Sequence, residues 1–269
     1  MALSGLRAFL MPALIGLVLV SSCGTTTSDQ LEFVQREIRQ QHGDCEDKRP
    51  ACASVYFEYP EFTRAANAAV LDSLNQEVQE YLLTPLLNEG EADTPERVIE
   101  LFFQEFQQLL EDMPDYATQW TAERHVKVET DTLGILCLSF SEYAYTGGAH
   151  GISQLQFGNY DLRTGKRLAL TDILNDGFHS WLNTVGEKKF RGLKQLKAEE
   201  SLEQAGYIFD DANFSLNDNF AVRPQGLLFY FNSYEIASYA EGTTELLIPY
   251  SEIKELIRPD GVLARLAPK

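Results

Sequence analysis

The sequence predicts an α+β protein built on antiparallel sheet, and three observations carry that prediction. Segments with period-two alternation come in neighbouring runs joined by short turns. Two long segments have the three-and-four spacing of amphipathic helices. Strands and helices do not alternate regularly along the chain, as a doubly wound parallel sheet requires. The composition of the 269 residues, 44% apolar and 23% charged, is that of a globular protein and excludes disordered, collagen-like and coiled-coil classes.

The elements follow in order. Val55-Tyr56-Phe57-Glu58-Tyr59 is β-branched and aromatic and stops at Pro60, which marks a strand. A helix is predicted over 64–83, with Leu71, Leu74, Val78 and Leu82 along one face. After a polar connection, Thr94 is the N-cap of a second helix, with Pro95 at its first position and Glu96 in its first turn. Val98, Leu101, Phe102, Phe106 and Leu109 form its apolar face, and Pro114 follows its end near 112.

The period then becomes two. Trp120, Ala122, Val126 and Val128 alternate with Thr121, Glu123, His125 and Lys127. Residues 131–134 form a turn, and 135–145 form a strand that starts apolar on both faces, as a central strand does. A further strand covers 152–162, and Arg163-Thr164-Gly165-Lys166 turns the chain. Thr171-Asp172 is read as the N-cap of a helix or helix pair over 172–196, with Phe178, Trp181, Leu182 and Val185 as its stripe. A loose segment, 213–219, precedes strands at 226–231 and 245–250, and Ser251 caps a last short helix at 252–257.

The amino terminus reads as an address. Residues 1–22 contain one basic residue, Arg7, and no acidic one. The apolar run 8–20 would reach about 20 Å as a helix, short of the roughly 30 Å hydrocarbon core, so it fits a signal peptide. Val20-Ser21-Ser22-Cys23 resembles a bacterial lipobox, with Val20 where Leu is usual. That resemblance implies cleavage before Cys23 and membrane attachment through lipid on Cys23; the alternative is an ordinary secretory signal. No Asp follows Cys23, which by resemblance to Gram-negative lipoproteins favours the outer membrane, facing the periplasm. Residues 23–44 are read as the lipidated cysteine and a flexible tether, polar over 24–30.

Charge and cysteines narrow the partners. A net charge of −18 repels phosphate backbones, which argues against nucleic acid and favours a basic protein partner. In an oxidising compartment Cys45 and Cys52, around the polar loop 46–51, are predicted to form a disulfide. Closing that loop contributes on the order of 2.5 kcal/mol by chain entropy. Cys137 sits in an apolar run and is read as a buried, unreactive thiol. No cofactor is expected.

Three strings stand out: Tyr145-Thr146-Gly147-Gly148-Ala149-His150-Gly151, then Asn159-Tyr160-Asp161-Leu162-Arg163-Thr164-Gly165-Lys166, then 229–242 with Asn232, Tyr234, Glu235 and Tyr239. Together they resemble a bacterial extracytoplasmic domain family of unknown function. It is shared by the ectodomain of the anti-sigma factor RsiV and the N-terminal region of the peptidoglycan deacetylase PdaC. Ser238 departs from the proline common there. The resemblance implies a twisted antiparallel sheet with packed helices in two tightly associated subdomains, 45–139 and 140–258, with a tail at 259–269. It also implies binding, since the RsiV region senses lysozyme by binding it. Neither a sigma-binding segment nor a separate deacetylase domain is visible in this sequence.

The candidate contact residues lie in two loops: Tyr145, Gly147, Gly148, His150 and Gly151 in one, and Tyr234, Glu235 and Tyr239 in the other. The glycines allow close approach or anion binding by N–H groups, or simply a tight hairpin. His150 is the best candidate base, yet no linked nucleophile is visible. His42, His125, His179, Glu199-Glu200 and Asp210-Asp211 are read as solvated or edge residues. Three functions are carried forward: an envelope binding module for a lysozyme-like or other basic protein or for peptidoglycan, a structural envelope lipoprotein, and a peptidoglycan-acting enzyme using His150.

Overall fold

The computed structural model describes residues 31–46, 51–87 and 90–265; the signal segment, Cys23 and residues 24–30 lie outside it. Strands β1 (Glu32–His42) and β2 (Ala53–Arg64) pair antiparallel. Helices α1 (Ala68–Leu83) and α2 (Pro95–Asp112) follow, then β3 (Trp120–Thr132), β4 (Ile135–Tyr145) and β5 (Ile152–Asp161). These five strands form one sheet in the order β1-β2-β3-β4-β5. After α3 (Leu170–Ile173) and α4 (Phe178–Leu193), β6 (Phe220–Arg223), β7 (Gly226–Phe231) and β8 (Thr244–Pro249) form a second, antiparallel sheet, closed by α5 (Tyr250–Ile253). The α+β class holds.

Several expectations change in detail. The first sheet is mixed: β2 and β3 run parallel, because α1 and α2 between them carry the chain back to the same end of the sheet. The tether expected over 23–44 contains β1. That strand is rich in Arg, Glu and Gln, the composition of an exposed edge, so it lacks an apolar alternation. Strand β2 runs past Pro60, where its pairing with β3 has already ended at Glu58 and the proline need serve only one ladder. Residues 140–161 stay in the first sheet, so the break between the two units falls after Asp161 rather than at 139/140. Strand β6 adds an element that the sequence does not show, because its four residues are too short to express a period. Asp172 sits at the third helical position, its carboxylate accepting from Ala169 N–H at 2.9 Å, so Thr171-Asp172 is not the cap. Ser251 likewise lies inside α5.

The helices cap as their sequences dictate. Asn67 Oδ1 accepts from Val70 N–H at 3.1 Å, and Thr94 Oγ1 from Arg97 N–H at 3.2 Å. Val70, Leu74, Val78 and Leu82 of α1 and Val98, Ile99, Phe102 and Phe106 of α2 bury against Val55, Phe57, Ala122 and Val126 of the sheet. A second core surrounds β6 to β8 and contains Phe178, Leu182 and Phe190 of α4; Trp181 is exposed instead.

One core position is charged. Arg124 of β3 is 0% exposed, on the face that holds Ala122 and Val126. Its guanidinium donates to Leu82 O at 3.1 Å, Thr84 O at 2.7 Å and Pro85 O at 3.2 Å, and pairs with Glu142 at 2.6 Å. It therefore ties off the C-terminal carbonyls of α1, where cationic charge is favoured.

The turn between β3 and β4 has Leu133 at φ 50° and Gly134 at φ 85°, the left-handed pair of a two-residue hairpin turn. Leucine is strained there. Leu133→Asn is expected to raise stability by about 0.5–1 kcal/mol, read as a higher urea midpoint. An unchanged or lower midpoint would show that the leucine side chain stabilises the fold by more than the backbone strain costs.

The two sheets interlock through asparagines. Asn219 Oδ1 accepts from Phe157 N–H at 2.9 Å, while its Nδ2 donates to Leu155 O at 2.7 Å and Tyr230 O at 3.1 Å. Asn232 Oδ1 accepts from Leu155 N–H at 2.7 Å. On the opposite side, Asn159 of β5 bonds Phe220 O at 2.8 Å and Val222 N–H at 2.7 Å. Side-chain amides thus satisfy the outer edge of β5, which would otherwise expose unpaired backbone. Cys137, Phe157 and Ala221 form a small apolar contact between the sheets. Burial pushes the Cys137 thiol up to about 12, so it is protonated at neutral pH and unreactive.

Candidate functional site

The loops β4–β5 (146–151) and β7–β8 (232–243) meet. The His150 ring stacks flat on Tyr239, centroids 3.7 Å apart and planes 8° from parallel. Tyr234 Oη stands 3.2 Å from His150 Nε2, and His150 Nδ1 stands 3.0 Å from Gly151 O. The neutral tautomer with hydrogen on Nδ1 meets both contacts, Nδ1–H donating to the carbonyl and Nε2 accepting from the phenol. His150, Tyr234 and Tyr239, drawn from two distant sequence strings, therefore form one cluster.

The cluster is held from below and open above. Tyr234 is 60% exposed and Tyr239 40% exposed. Tyr234 lies at φ +68°, a left-handed conformation that a tyrosine adopts only when its surroundings impose it. The restraints are visible. Glu235 accepts from Asn232 N–H at 2.7 Å and from the Asn217 side-chain amide, so this predicted contact residue braces the loop. Ile236 is buried beneath it. Glu241 accepts from Tyr207 Oη at 2.8 Å and Lys194 Nζ at 3.0 Å, and the Tyr207 bond, then Lys194, holds its carboxyl below the usual range. Preorganised aromatic side chains lose little freedom on binding.

The glycine-rich loop has a structural account. Gly147 is at φ +108°, and a Cβ there would stand 2.7 Å from Tyr116 Oη. That hydroxyl is engaged, donating to Thr146 O at 3.1 Å and accepting from Trp120 Nε1–H at 3.0 Å. Gly151 lies against the Tyr143 ring, where no side chain fits. Tyr145 Oη donates to Gly148 O at 3.1 Å and ties the loop across itself. Among the described residues, the side chains in hydrogen-bond or ring contact with His150 are those of Tyr234 and Tyr239, and no carboxylate bonds it. Among the described residues, no three His, Cys, Asp or Glu side chains converge as a metal site would require.

Other predicted positions are also placed. Cys45 and Cys52 are disulfide-bonded, with Cα atoms 5.3 Å apart. His42 packs on Phe103 and Phe106, His179 stacks on Phe178, and His125 bonds Glu58 at 3.0 Å. Sequence reasoning missed Ile208, which is 72% exposed and whose N–H donates to Ile236 O at 2.8 Å beside the tyrosine loop. An isolated isoleucine in a loop has no periodic signal to reveal it.

Fold and site together define an α+β protein of two interlocked sheets that presents a braced aromatic loop cluster. Residues 46–153 match the family model described as deacetylase PdaC, and residues 171–251 match that of a protein of unknown function, DUF3298. The two matches leave their gap at 154–170, where the first sheet ends. The peptidoglycan-N-acetylmuramic acid deacetylase PdaC of Bacillus subtilis is 26% identical over 176 residues, which is 64% of this chain and 37% of that protein. This chain thus spans well under half of that relative. A DUF3298-family protein of Bacteroides fragilis has the same fold, with TM-score 0.74 at 22% identity, over 89% of this chain and 98% of its own. One from Pseudomonas aeruginosa gives TM-score 0.61 at 20% identity, over 88% and 98%. No helix among the described residues is long and apolar enough to cross a membrane.

Proposed function

We propose that this protein is a non-enzymatic binding module of the bacterial cell envelope, lipid-anchored through Cys23, that captures a basic, lysozyme-like protein. The observation that carries this reading is the cluster of His150, Tyr234 and Tyr239. Two tyrosines are exposed on braced loops, one in a left-handed backbone, where packing alone would favour burial and relaxed geometry. Exposed, rigid tyrosines are the residues that anchor protein interfaces. Exposed Ile208 extends the apolar part of the surface. The net charge of −18 attracts a cationic partner and raises its encounter rate. Similarity to an enzyme named for peptidoglycan deacetylation supports an extracytoplasmic location.

Calorimetric titration with a c-type lysozyme tests the proposal. A 1:1 complex is expected at low salt and at about 0.15 M salt, where the Debye length is about 8 Å. Tyr234→Ala is expected to weaken it about tenfold or more, the loss of one anchor of about 1.4 kcal/mol. Heat at low salt that vanishes at 0.15 M would reduce the interaction to charge attraction and remove the proposal.

A further inference from the structure

The face of the first sheet turned away from α1 and α2 is open over residues 37–41 of β1, 54–58 of β2, 121–125 of β3 and 141–145 of β4, and its register sets side chains in rows. Arg39, Tyr56, Glu123 and Tyr143 are consecutive cross-strand neighbours. Gln41, Ser54, Thr121 and Tyr145 form the row above, and Glu37, Glu58, His125 and Ser141 the row below. An open concavity of about 550 Å³ lies here, and Arg39, Gln41, Ser54, Tyr56, Thr121 and Glu123 are among the residues that line it. Its volume falls within the roughly 300–1,000 Å³ of small-ligand sites.

The chemistry of these rows selects a ligand. The Arg39 guanidinium lies 4.0 Å from the Tyr56 ring centroid and makes a flat platform with it. Tyr143 and Tyr145 add rings across the sheet. The Ser54 and Thr121 hydroxyls stand 3.4 Å apart, and Glu123 and Gln41 flank them with carboxylate and amide. Flat surfaces suit the C–H faces of a pyranose ring, and paired acceptors and donors suit its neighbouring hydroxyls. Across β1 to β4 these rows contain no aliphatic side chain; rings alternate with hydroxyl, amide and carboxylate groups, as the alternating faces and hydroxyls of a sugar require. Glu37, Glu58 and Glu123 outnumber Arg39 and disfavour a carboxylate-bearing sugar.

We propose that this sheet face is a binding site for a neutral oligosaccharide. The site adjoins the β4–β5 loop through Tyr143 and Tyr145, but it uses none of His150, Tyr234 and Tyr239 and does not depend on the function assigned to them. The test is a titration of the full-length protein with chitotetraose, followed by amide chemical shifts. Shifts centred on Tyr56, Glu123 and Tyr143 are expected. Tyr56→Ala should weaken binding about tenfold, while Tyr56→Phe, which keeps the ring, should stay within about threefold of the wild type. Tetragalacturonate of the same length, which is anionic, should bind at least about tenfold more weakly. The proposal is overturned by any of three results: no sheet-face shifts up to about 10 mM sugar, shifts confined to the loop of His150 and Tyr234, or equal binding of the anionic oligomer.

Discussion

Arg124→Ala is expected to lower the unfolding free energy by about 3–5 kcal/mol, the cost of breaking a buried, fully bonded ionic group. The reasoning rests on what the substitution leaves behind. Leu82, Thr84 and Pro85 carbonyls at the end of α1 would lose their donor, Leu82 within the core and Thr84 and Pro85 at its exposed rim. Each unmet buried carbonyl costs roughly 1–3 kcal/mol, although relaxation recovers part of the sum. The Glu142 partner is 29% exposed, so the ion pair itself is partly screened and contributes the smaller share. Phe57 and Tyr81, whose ring centroids lie 5.4 Å from the guanidinium, would also face a cavity. Arg124→Lys should recover only part of the loss, because one ammonium cannot span several carbonyls and a carboxylate. Urea denaturation of the three proteins decides it. A loss under about 1 kcal/mol for the alanine variant would mean that water replaces the guanidinium at little cost.

Asn219→Ala should cost about 3 kcal/mol and loosen the joint between the sheets. The variant loses one acceptor and two donated bonds, and it strands Phe157 N–H on the outer edge of β5, while Leu155 O keeps the Asn232 amide at 3.1 Å. Native-state hydrogen exchange gives a residue-level reading: the Phe157 amide should lose protection while amides within β2 and β3 keep theirs. Asn219→Ala combined with Asn232→Ala should depart from additivity, since both side chains bond Leu155. Unchanged protection at Phe157 would show that the apolar contact of Cys137, Phe157 and Ala221 closes the joint without the amides.

These two residues mark the boundary of what the sequence discloses. Trp120, Ala122 and Val126 declared a buried face by their period, yet Arg124 stands on that same face and was passed over, because composition ranks arginine as solvent-exposed. Asparagine carries a local signal for turns and caps. That signal is true at Asn67, but it is silent about Asn159, Asn219 and Asn232, whose partners across the joint are backbone groups more than 60 residues away.

The parallel pairing of β2 with β3 was likewise implied by the helices between them but masked by the hairpins elsewhere. Strand β1 was hidden because an exposed edge selects charge over alternation.

By itself, then, the sequence determined the α+β class, the apolar faces of α1 and α2, the start of α2 at Thr94, a turn within 131–134, the Cys45–Cys52 bridge and the two loops rich in chemistry. All of these arise from interactions within a few residues, or from an apolar period that one strand or helix expresses alone. Tertiary structure alone decided that His150 stacks on Tyr239 and meets Tyr234 across 84 residues of chain. It also decided that Glu235 braces its loop, and that one sheet face stays open while its lower part is locked to a second sheet. Hydrogen bonds and ring contacts between distant segments depend on where whole strands come to lie, and that position is fixed by the burial of two cores together, not by any residue's neighbours in sequence.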